Sequence, residues 1–262
     1  MIKLKRYDKV KTAMVTALFS FAVFTNIGVA ADAPIELSAD TIEYNAVTDM
    51  AIATGGVRVL RDGGILTGGE ASYNFKTQEV SITGGVTANK DDMNLKADSL
   101  VSNARQEVVA KGNVVVVKGN NNLNTPELHY NQATGDISMP AGGSADGEQA
   151  SISGNVLTGN MNTNQYNAVG NVYLNSKEKD VQSTSNQASY VATGEDFNFT
   201  ADGDVSIKSA SRNVNTHSEH AVYNSAENGK LILTGNAVAT QNNNIVRGNT
   251  LTVYLGDNIN IE

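Results

Sequence analysis

Three histidines, His129, His217 and His220, are the side chains best suited to acid–base or metal chemistry in this sequence. The spacing of His217 and His220 suggests a metal site, but residues three apart on a strand point to opposite faces. Asp40 and Asp98 occupy the same position in a pattern that repeats along the sequence. Other copies of the pattern carry Gly, Pro or Asn at that position. A catalytic carboxylate does not tolerate such exchange, and the chain has no Cys. The sequence therefore predicts no enzyme, no metal site and no cofactor.

The repeated chemistry of the chain is apolar. One eight-residue pattern recurs, as in Leu37–Tyr44. It begins with an apolar residue, a spacer, a small residue and a polar residue. A spacer, an aliphatic residue, a second spacer and usually Tyr complete it. Alternation on each side of the polar residue predicts strands with one buried face. The residues expected to line the space between two sheets are Ile35, Leu37, Ile42, Leu66, Leu95, Leu100, Leu123, Leu128, Ile152, Leu157, Val246 and Leu251.

This pattern occurs eight times, at steps of 29, 29, 28, 29, 31, 33 and 30 residues. A glycine pair, Gly-Gly, Gly-Asn or Gly-Asp, follows each of the first seven copies. The eight-residue pattern and the glycine pair are independent sequence features that recur with the same period, which indicates a repeat architecture. The copies start at Leu37, Leu66, Leu95, Leu123, Ile152, Ser183, Thr216 and Val246.

Each repeat is interpreted as two strands. The small residue and the polar residue in the first strand predict a bulge or bend, and the glycine pair marks a kink in the second. No amphipathic helical stretch follows residue 30, so we expect an all-β fold of about 15 or 16 strands. Residues 138–147 form the weakest repeat and predict an irregular corner within a single domain, residues 31–262.

Three all-β architectures compete for this pattern. A transmembrane barrel needs aromatic girdles, whereas the chain has no Trp. A parallel β-helix, as in a secreted β-solenoid adhesin or structural surface protein, needs three strands per coil. The two-strand unit is typical of an open, elongated β-jelly roll of stacked hairpins, with antiparallel strands in two facing sheets.

The first thirty residues lie outside the repeat. Lys3, Lys5, Arg6, Lys9 and Lys11 precede an apolar stretch, residues 12–30, that ends in small residues. These are the parts of a secretory signal peptide, which predicts an exported protein beginning near residue 31. The alternative is an uncleaved membrane anchor.

The charge balance excludes one class of partner. The chain carries 19 basic and 27 acidic residues. Without residues 1–30, which hold five basic and one acidic residue, 14 basic and 26 acidic remain, a net charge of −12. Nucleic-acid phosphates require a basic surface, so no nucleic-acid partner is expected.

The repeats resemble a known family. The sequence around Leu233-Thr234-Gly235-Asn236-Ala237, with Val246, Gly248, Leu251 and Tyr254, is similar to the last repeats of the LptA/OstA family. The opening repeat is also similar, at residues 35–40 and 55–57, and the resemblance covers the chain after residue 30. It implies a periplasmic lipopolysaccharide-transport protein that forms part of a bridge from inner to outer membrane. A membrane-anchored, LptC-type relative is the alternative within the family.

The resemblance also implies a ligand and partners. The lining residues would receive the acyl chains of lipid A between splayed sheets, although the same residues could simply pack a core. The partners would be lipopolysaccharide and other OstA-like jelly-roll proteins. Strand edges near residues 35–44 and 246–261 lack protecting Lys or Pro. Such edges predict strand addition and end-to-end homo-oligomers.

Overall fold

The computed structural model describes residues 35–61, 63–131, 133–147, 150–163, 165–177, 180–193 and 196–256, and in this part of the chain all regular elements are strands. The all-β prediction is therefore confirmed. The 18 described strands are β1 Ile35–Ser38, β2 Thr41–Asn45, β3 Met50–Arg61, β4 Gly64–Asn74, β5 Glu79–Lys90, β6 Met93–Ser102, β7 Glu107–Lys118, β8 Asn121–Asn131, β9 Asp136–Met139, β10 Gly143–Asp146, β11 Ala150–Gly154, β12 Val156–Asn160, β13 Gln165–Ser176, β14 Val181–Thr193, β15 Asp196–Ser209, β16 Val214–Asn224, β17 Lys230–Gln241 and β18 Asn244–Tyr254.

The chain divides between Ile137 and Ser138 into two compact units. In the first unit, β1 and β2 both pair with β3, and β3 to β8 then pair in sequence order. In the second unit, β10 pairs with β11, β11 and β12 both pair with β13, and β13 to β18 pair in order. All these pairs are antiparallel, which is the predicted stack of hairpins.

Each long hairpin is bent at the glycine pair. The strand register shifts there, for example between Lys96 and Ser99 on β6 where it pairs with β7. Both residues have positive φ in six of the seven pairs, as Gly112 (77°) and Asn113 (47°) do. Asn and Gly adopt this left-handed conformation most readily. The predicted bulge is therefore present, and its backbone explains why Asn, Asp or Gly occupies the second place of the pair.

The glycine pair and the polar bend residue form one structural feature. Asp98 on β6 lies against Gly112 on β7, and a Cβ on Gly112 would overlap the Asp98 carboxylate. Asn113 Nδ2 donates a hydrogen bond to Asp98 Oδ2 (3.5 Å). In the second unit, Asn236 Nδ2 donates to Glu219 Oε1 (2.6 Å) in the same way. A Cβ on the first glycine of the pair would meet the bend residue of the same copy at Gly55, Gly84, Gly112, Gly170, Gly203 and Gly235, which explains why the two sequence features share one period.

Asparagine side chains close the hairpin turns. The Oδ1 atom of Asn45 accepts hydrogen bonds from the N–H groups of Val47 and Thr48. This Asx arrangement stabilises a turn without help from the rest of the fold. It recurs at Asn74, Asn103, Asn131, Asn160 and Asn224.

The strands are more numerous than the 15 or 16 expected. Two predicted strands are interrupted at their bend residues, Asp40 and Asn155, so each of them becomes two strands. The weak repeat contributes two four-residue strands, β9 and β10, and the division between the units falls beside it. That residues 31–262 form a single domain stays a prediction. The predicted signal segment lies outside the described residues.

The bend gives each unit two arms. We call the part that contains the tyrosine positions the tyrosine arm and the other part the opposite arm. Side chains on both arms reach full burial, as Leu66 and Leu100 do in the first unit. A sheet face is buried to this degree only when a second layer covers it. In the second unit, one core cluster joins Phe199 and Tyr223 of the tyrosine arm to Val205 and Ile207 of the opposite arm. No described helix is long and apolar enough to cross a membrane.

Candidate functional site

The candidate site is the apolar surface between the two arms of the first unit. In the opposite arm, residues paired across six consecutive strands form one row, and every member is aliphatic. Its members on β3 to β6 are buried, and those on β7 and β8 are half-buried. A continuous aliphatic surface of this kind favours apolar groups over water. The row consists of Val59, Leu66, Ala88, Leu95, Val116 and Leu123.

The tyrosine arm of the first unit presents a matching row. Large and small side chains are mixed along it, an arrangement that lets two facing layers interdigitate. The row runs across β2 to β8 and consists of Ile42, Ala53, Ala71, Ile82, Leu100, Ala110 and Leu128. All of them are buried except Ile42, which is half-buried.

Most residues predicted to line the interior lie on these inward rows or their counterparts in the second unit. Six of the twelve are buried, namely Leu37, Leu66, Leu95, Leu100, Leu128 and Leu157. Four are half-buried, namely Ile42, Leu123, Ile152 and Leu251. Ile35 begins β1, and its side chain lies outside the described part of the chain.

Val246 is the exception, because 51 % of it is exposed. It pairs with Ala239, which pairs in turn with Thr216. Val246 therefore continues an inward row, as the repeat predicts. Within the second unit, however, β18 pairs with β17 alone among the described strands. No further strand of this unit covers Val246, so its expected place in an enclosed interior is wrong.

The small residues beside the bends do not leave open space. The position two residues after the start of the repeat is small in five copies, at residues 39, 68, 97, 154 and 248. A Cβ on Gly68 would lie 2.5 Å from Ile82 Cγ1, so Ile82 already fills that position. A Cβ on Gly154 would contact the Ala168 methyl at 3.4 Å. The interior is therefore packed by the chain's own side chains at these points.

The second unit has a more polar opposite arm. The row that corresponds to the aliphatic row of the first unit contains two buried hydroxyl residues, Ser183 and Thr216, each 4 % exposed. Thr216 Oγ1 donates a hydrogen bond to the carbonyl oxygen of Ile207 (3.0 Å). The row consists of Ile152, Leu174, Ser183, Ile207, Thr216, Ala239 and Val246.

The tyrosine arm of the second unit is aromatic. Tyr166, Tyr190, Phe199 and Tyr223 occupy one row on adjacent strands. The ring centroids of Phe199 and Tyr223 are 5.2 Å apart and the rings are stacked. In the first unit, Ala51 on β3 separates the tyrosines on β2 and β4. The two interiors therefore differ in chemistry.

The tyrosine hydroxyl groups remain uncharged. Burial raises the pKa of Tyr223 to about 12, against a smaller opposite effect of the nearby Arg212 charge. Burial also raises the pKa of Tyr73, Tyr130 and Tyr166 above the usual range. Because these phenols are neutral near pH 7, they add no negative charge to the interior.

The histidines lie on the outer surface. His220 Nδ1 is 2.6 Å from Asp202 Oδ1, and His217 Nδ1 is 3.8 Å from Asp204 Oδ1. The expectation that His217 and His220 face opposite sides is wrong, because the bend turns Ser218 inward between them. Even so, no group of three or more potential metal ligands occurs among the described residues.

Some features of the interior were not predicted from sequence. Phe197 and Phe199 alternate on β15 and belong to the core cluster, but they fall outside the tyrosine position of the repeat. Their period-two spacing was the available signal. The Asn that directly follows Tyr44, Tyr73, Tyr130 and Tyr223 is another mark of the repeat, which the turns explain.

Comparison with known proteins agrees with this architecture. The family described as LptA/(LptD N-terminal domain) LPS transport protein matches residues 96–258, which is more than half of the chain. Among solved structures, the chain is similar to LptH from Pseudomonas aeruginosa, described as the LptA-homologous periplasmic component of the lipopolysaccharide transport device. The identity is 17 %, the TM-score is 0.34, and the alignment covers 38 % of this chain and 76 % of that one.

A structural likeness of that size carries no argument about function. The chain has no match among the curated proteins. The family match rests on the repeats themselves and spans both sides of the weak repeat. The chain belongs to the LptA/LptD N-terminal family of lipopolysaccharide transport proteins.

Proposed function

We propose that this chain is a periplasmic carrier that binds the acyl chains of lipopolysaccharide between the arms of its first unit. It would form one part of a protein bridge between the inner and outer membranes. The observation that supports this role best is the row from Val59 to Leu123, which is aliphatic across six strands. Each methylene group transferred from water to such a surface contributes about 0.8 kcal/mol.

The arms must separate for an acyl chain to enter. Leu66 and Leu100 are fully buried, and Ile82 fills the space beside Gly68. An acyl chain would replace contacts between the two arms with contacts to itself. Such an exchange of one apolar partner for another needs no catalytic group, since the hydrophobic effect is non-directional.

Export and assembly belong to the same proposal. The basic residues and the apolar stretch in residues 1–30 support cleavage near Ala31 or Asp32. Mass spectrometry of the native N-terminus tests this, and an intact, membrane-embedded N-terminus would indicate the anchored relative. The exposed side chains of Ile245 and Val246 support docking of β18 onto another jelly-roll protein or a second copy.

Site-specific photo-crosslinking tests acyl binding. A crosslinker at Leu123, on the inward row of β8, should capture lipopolysaccharide. The matched control is Asn122, the preceding residue, which is exposed on the same strand. A second pair is Leu95 and Lys96 on β6. Capture at Leu123 and Leu95 alone supports the proposal. Equal capture at all four positions would indicate adsorption to the surface, and no capture would exclude an acyl-binding interior.

A further inference from the structure

The turn between β15 and β16 carries an arginine that reaches the far end of the second unit. Arg212 Nε donates a hydrogen bond to the carbonyl oxygen of Gly256 (3.4 Å). Gly256 follows β18 and is held beside the β16–β17 turn, because its N–H donates to the Asn228 carbonyl (2.9 Å). The N–H of Leu255 donates to the Gly229 carbonyl (2.9 Å). Arg212 therefore joins two turns at opposite ends of β16.

This contact shows how strongly β16 is bent. The strand has 11 residues, and an extended strand of that length spans about 33 Å. One end leads to Arg212 and the other to the turn that holds Gly256. A single arginine side chain connects them, so the bend near Glu219 brings the ends of the two arms together. The line along which these ends meet is the seam of the second unit.

Arg212 is well positioned on its own side of the seam. Only 15 % of its side chain is exposed. Its Nη1 donates to Ser209 Oγ and Ser211 Oγ, both at 3.3 Å. Asp180 Oδ2, 4.0 Å from Nη1, accepts hydrogen bonds from the Oγ and N–H of Ser211. The Arg212 carbonyl accepts a hydrogen bond from Gln241 Nε2 (3.3 Å). The opposite-arm turn is therefore fixed before it meets Gly256.

The other contacts that hold the seam closed are apolar. Leu255 is 2 % exposed and belongs to the same core cluster as Phe197 of the tyrosine arm and Val181 and Val214 of the opposite arm. Apolar contacts hold the arms together without direction, whereas the Arg212–Gly256 hydrogen bond has one partner and one geometry. The polar contact thus adds a directional link between Gly256 and the opposite-arm turn.

We propose that Arg212 and the segment Leu255–Gly256 form a latch that keeps the two arms of the second unit closed along their seam. Loss of the Arg212 hydrogen bond removes one of the hydrogen bonds that hold Leu255 and Gly256, so Leu255 leaves the core cluster more often. Anything that draws Leu255 and Gly256 away, such as a strand added to β18, opens the same seam. The latch lies in the second unit, whereas the proposed acyl site lies in the first, so the latch does not rest on the proposed function.

Distance measurement between two spin labels tests the latch. The chain has no Cys, so Ala210→Cys and Ala226→Cys, both exposed on the two turns, place labels only where they are wanted. With Arg212 intact, we expect one narrow distance distribution. Arg212→Met, which keeps an apolar stem, should broaden it toward longer distances. Arg247→Met removes an exposed arginine of β18 and should leave it unchanged. Identical distributions with and without the Arg212→Met substitution would overturn the latch.

Hydrogen exchange of backbone amides tests the latch even if Arg212→Met does not fold, because it can be measured on the unsubstituted protein. The latch predicts that the amides of Leu255 and Gly256 exchange by a local opening that precedes global unfolding. In Arg212→Lys their exchange should be about tenfold faster, the size expected for loss of one charged hydrogen bond. Exchange of these amides only through global unfolding would contradict the latch.

Uptake of the fluorescent fatty acid cis-parinaric acid separates the latch from the proposed function. If Arg212→Met opens the seam in the distance measurement and the fatty acid binds to the protein with or without this substitution, both proposals stand, because the proposed acyl site lies in the first unit. If the seam opens in the distance measurement but no fatty acid binds to any variant, the latch stands and the acyl-binding proposal fails. If the seam stays closed, the latch fails whatever the fatty acid does.

Discussion

A glycine beside a carboxylate sets the backbone at each bend of this protein. Gly112 has φ 77°, and a Cβ there would overlap Asp98. Gly119, in a turn, has φ 56°, but its Cβ would meet only Asp92 Oδ2, at 3.5 Å. The two positions therefore separate the cost of the left-handed backbone from the cost of the close contact.

We expect Gly119→Ala to lower the free energy of unfolding by about 1 kcal/mol, for the backbone alone. Gly112→Ala should lower it by about 3 kcal/mol, because the bend must also shift. Urea unfolding followed by circular dichroism measures both. Equal losses at the two positions would show that the contact with Asp98 has no energetic weight.

Asp180 gives the second unit an acid-sensitive contact. Hydrogen bonds from Ser211 hold the pKa of this carboxyl below its usual range, and Ser209 Oγ donates a further hydrogen bond. A lowered pKa means that the ionised form stabilises the folded state above about pH 4. This contribution is lost as the pH falls through the folded-state pKa.

At pH 7, Asp180→Asn should lower the free energy of unfolding by about 1 kcal/mol. The difference from the parent protein should shrink below pH 4, where the parent carboxyl becomes protonated. Asp204→Asn, at a side chain that is 81 % exposed, is the control and should have little effect. Unfolding curves between pH 3 and pH 7 provide the measurement, and a pH-independent difference would argue against ionisation as the cause.

At the scale of strands, the repeat predicted most of the fold. Period-two alternation identified the strands, and the glycine pairs identified the bends, because both depend on local backbone chemistry. The exposure of Val246 and the packing of Ile82 against Gly68 depend on which strands lie next to each other. Sequence periodicity does not show which strands are neighbours. The sequence therefore located the interior but did not show how densely side chains fill it.

The aromatic row distinguishes the strands of the second unit. Phe199→Leu should lower the free energy of unfolding by about 1 to 2 kcal/mol, since it removes a stacked ring and buried area. Tyr173→Leu, on the exposed face of β13, should change it by less than about 0.5 kcal/mol. Chemical denaturation compares the two variants. Similar losses would mean that the stacked row is not a source of stability.

At the scale of the whole chain, the last strand offers the clearest route to assembly. Residues 244–250 of β18 are all exposed. We predict concentration-dependent end-to-end oligomers, which light scattering over a dilution series would detect. Removal of residues 246–262 should abolish them. A protein that stays monomeric at high concentration, and whose truncation leaves partner binding unchanged, would contradict this assembly.

The order of strand pairing has a consequence for how the chain acquires its structure. Within each unit, every long strand pairs with its neighbours along the chain, so the contacts are local in sequence. Local contacts need only small loops to close and form quickly. A chain that is released from its N-terminus first can add one hairpin at a time to a growing edge, and no long strand in the described residues has to wait for a distant partner.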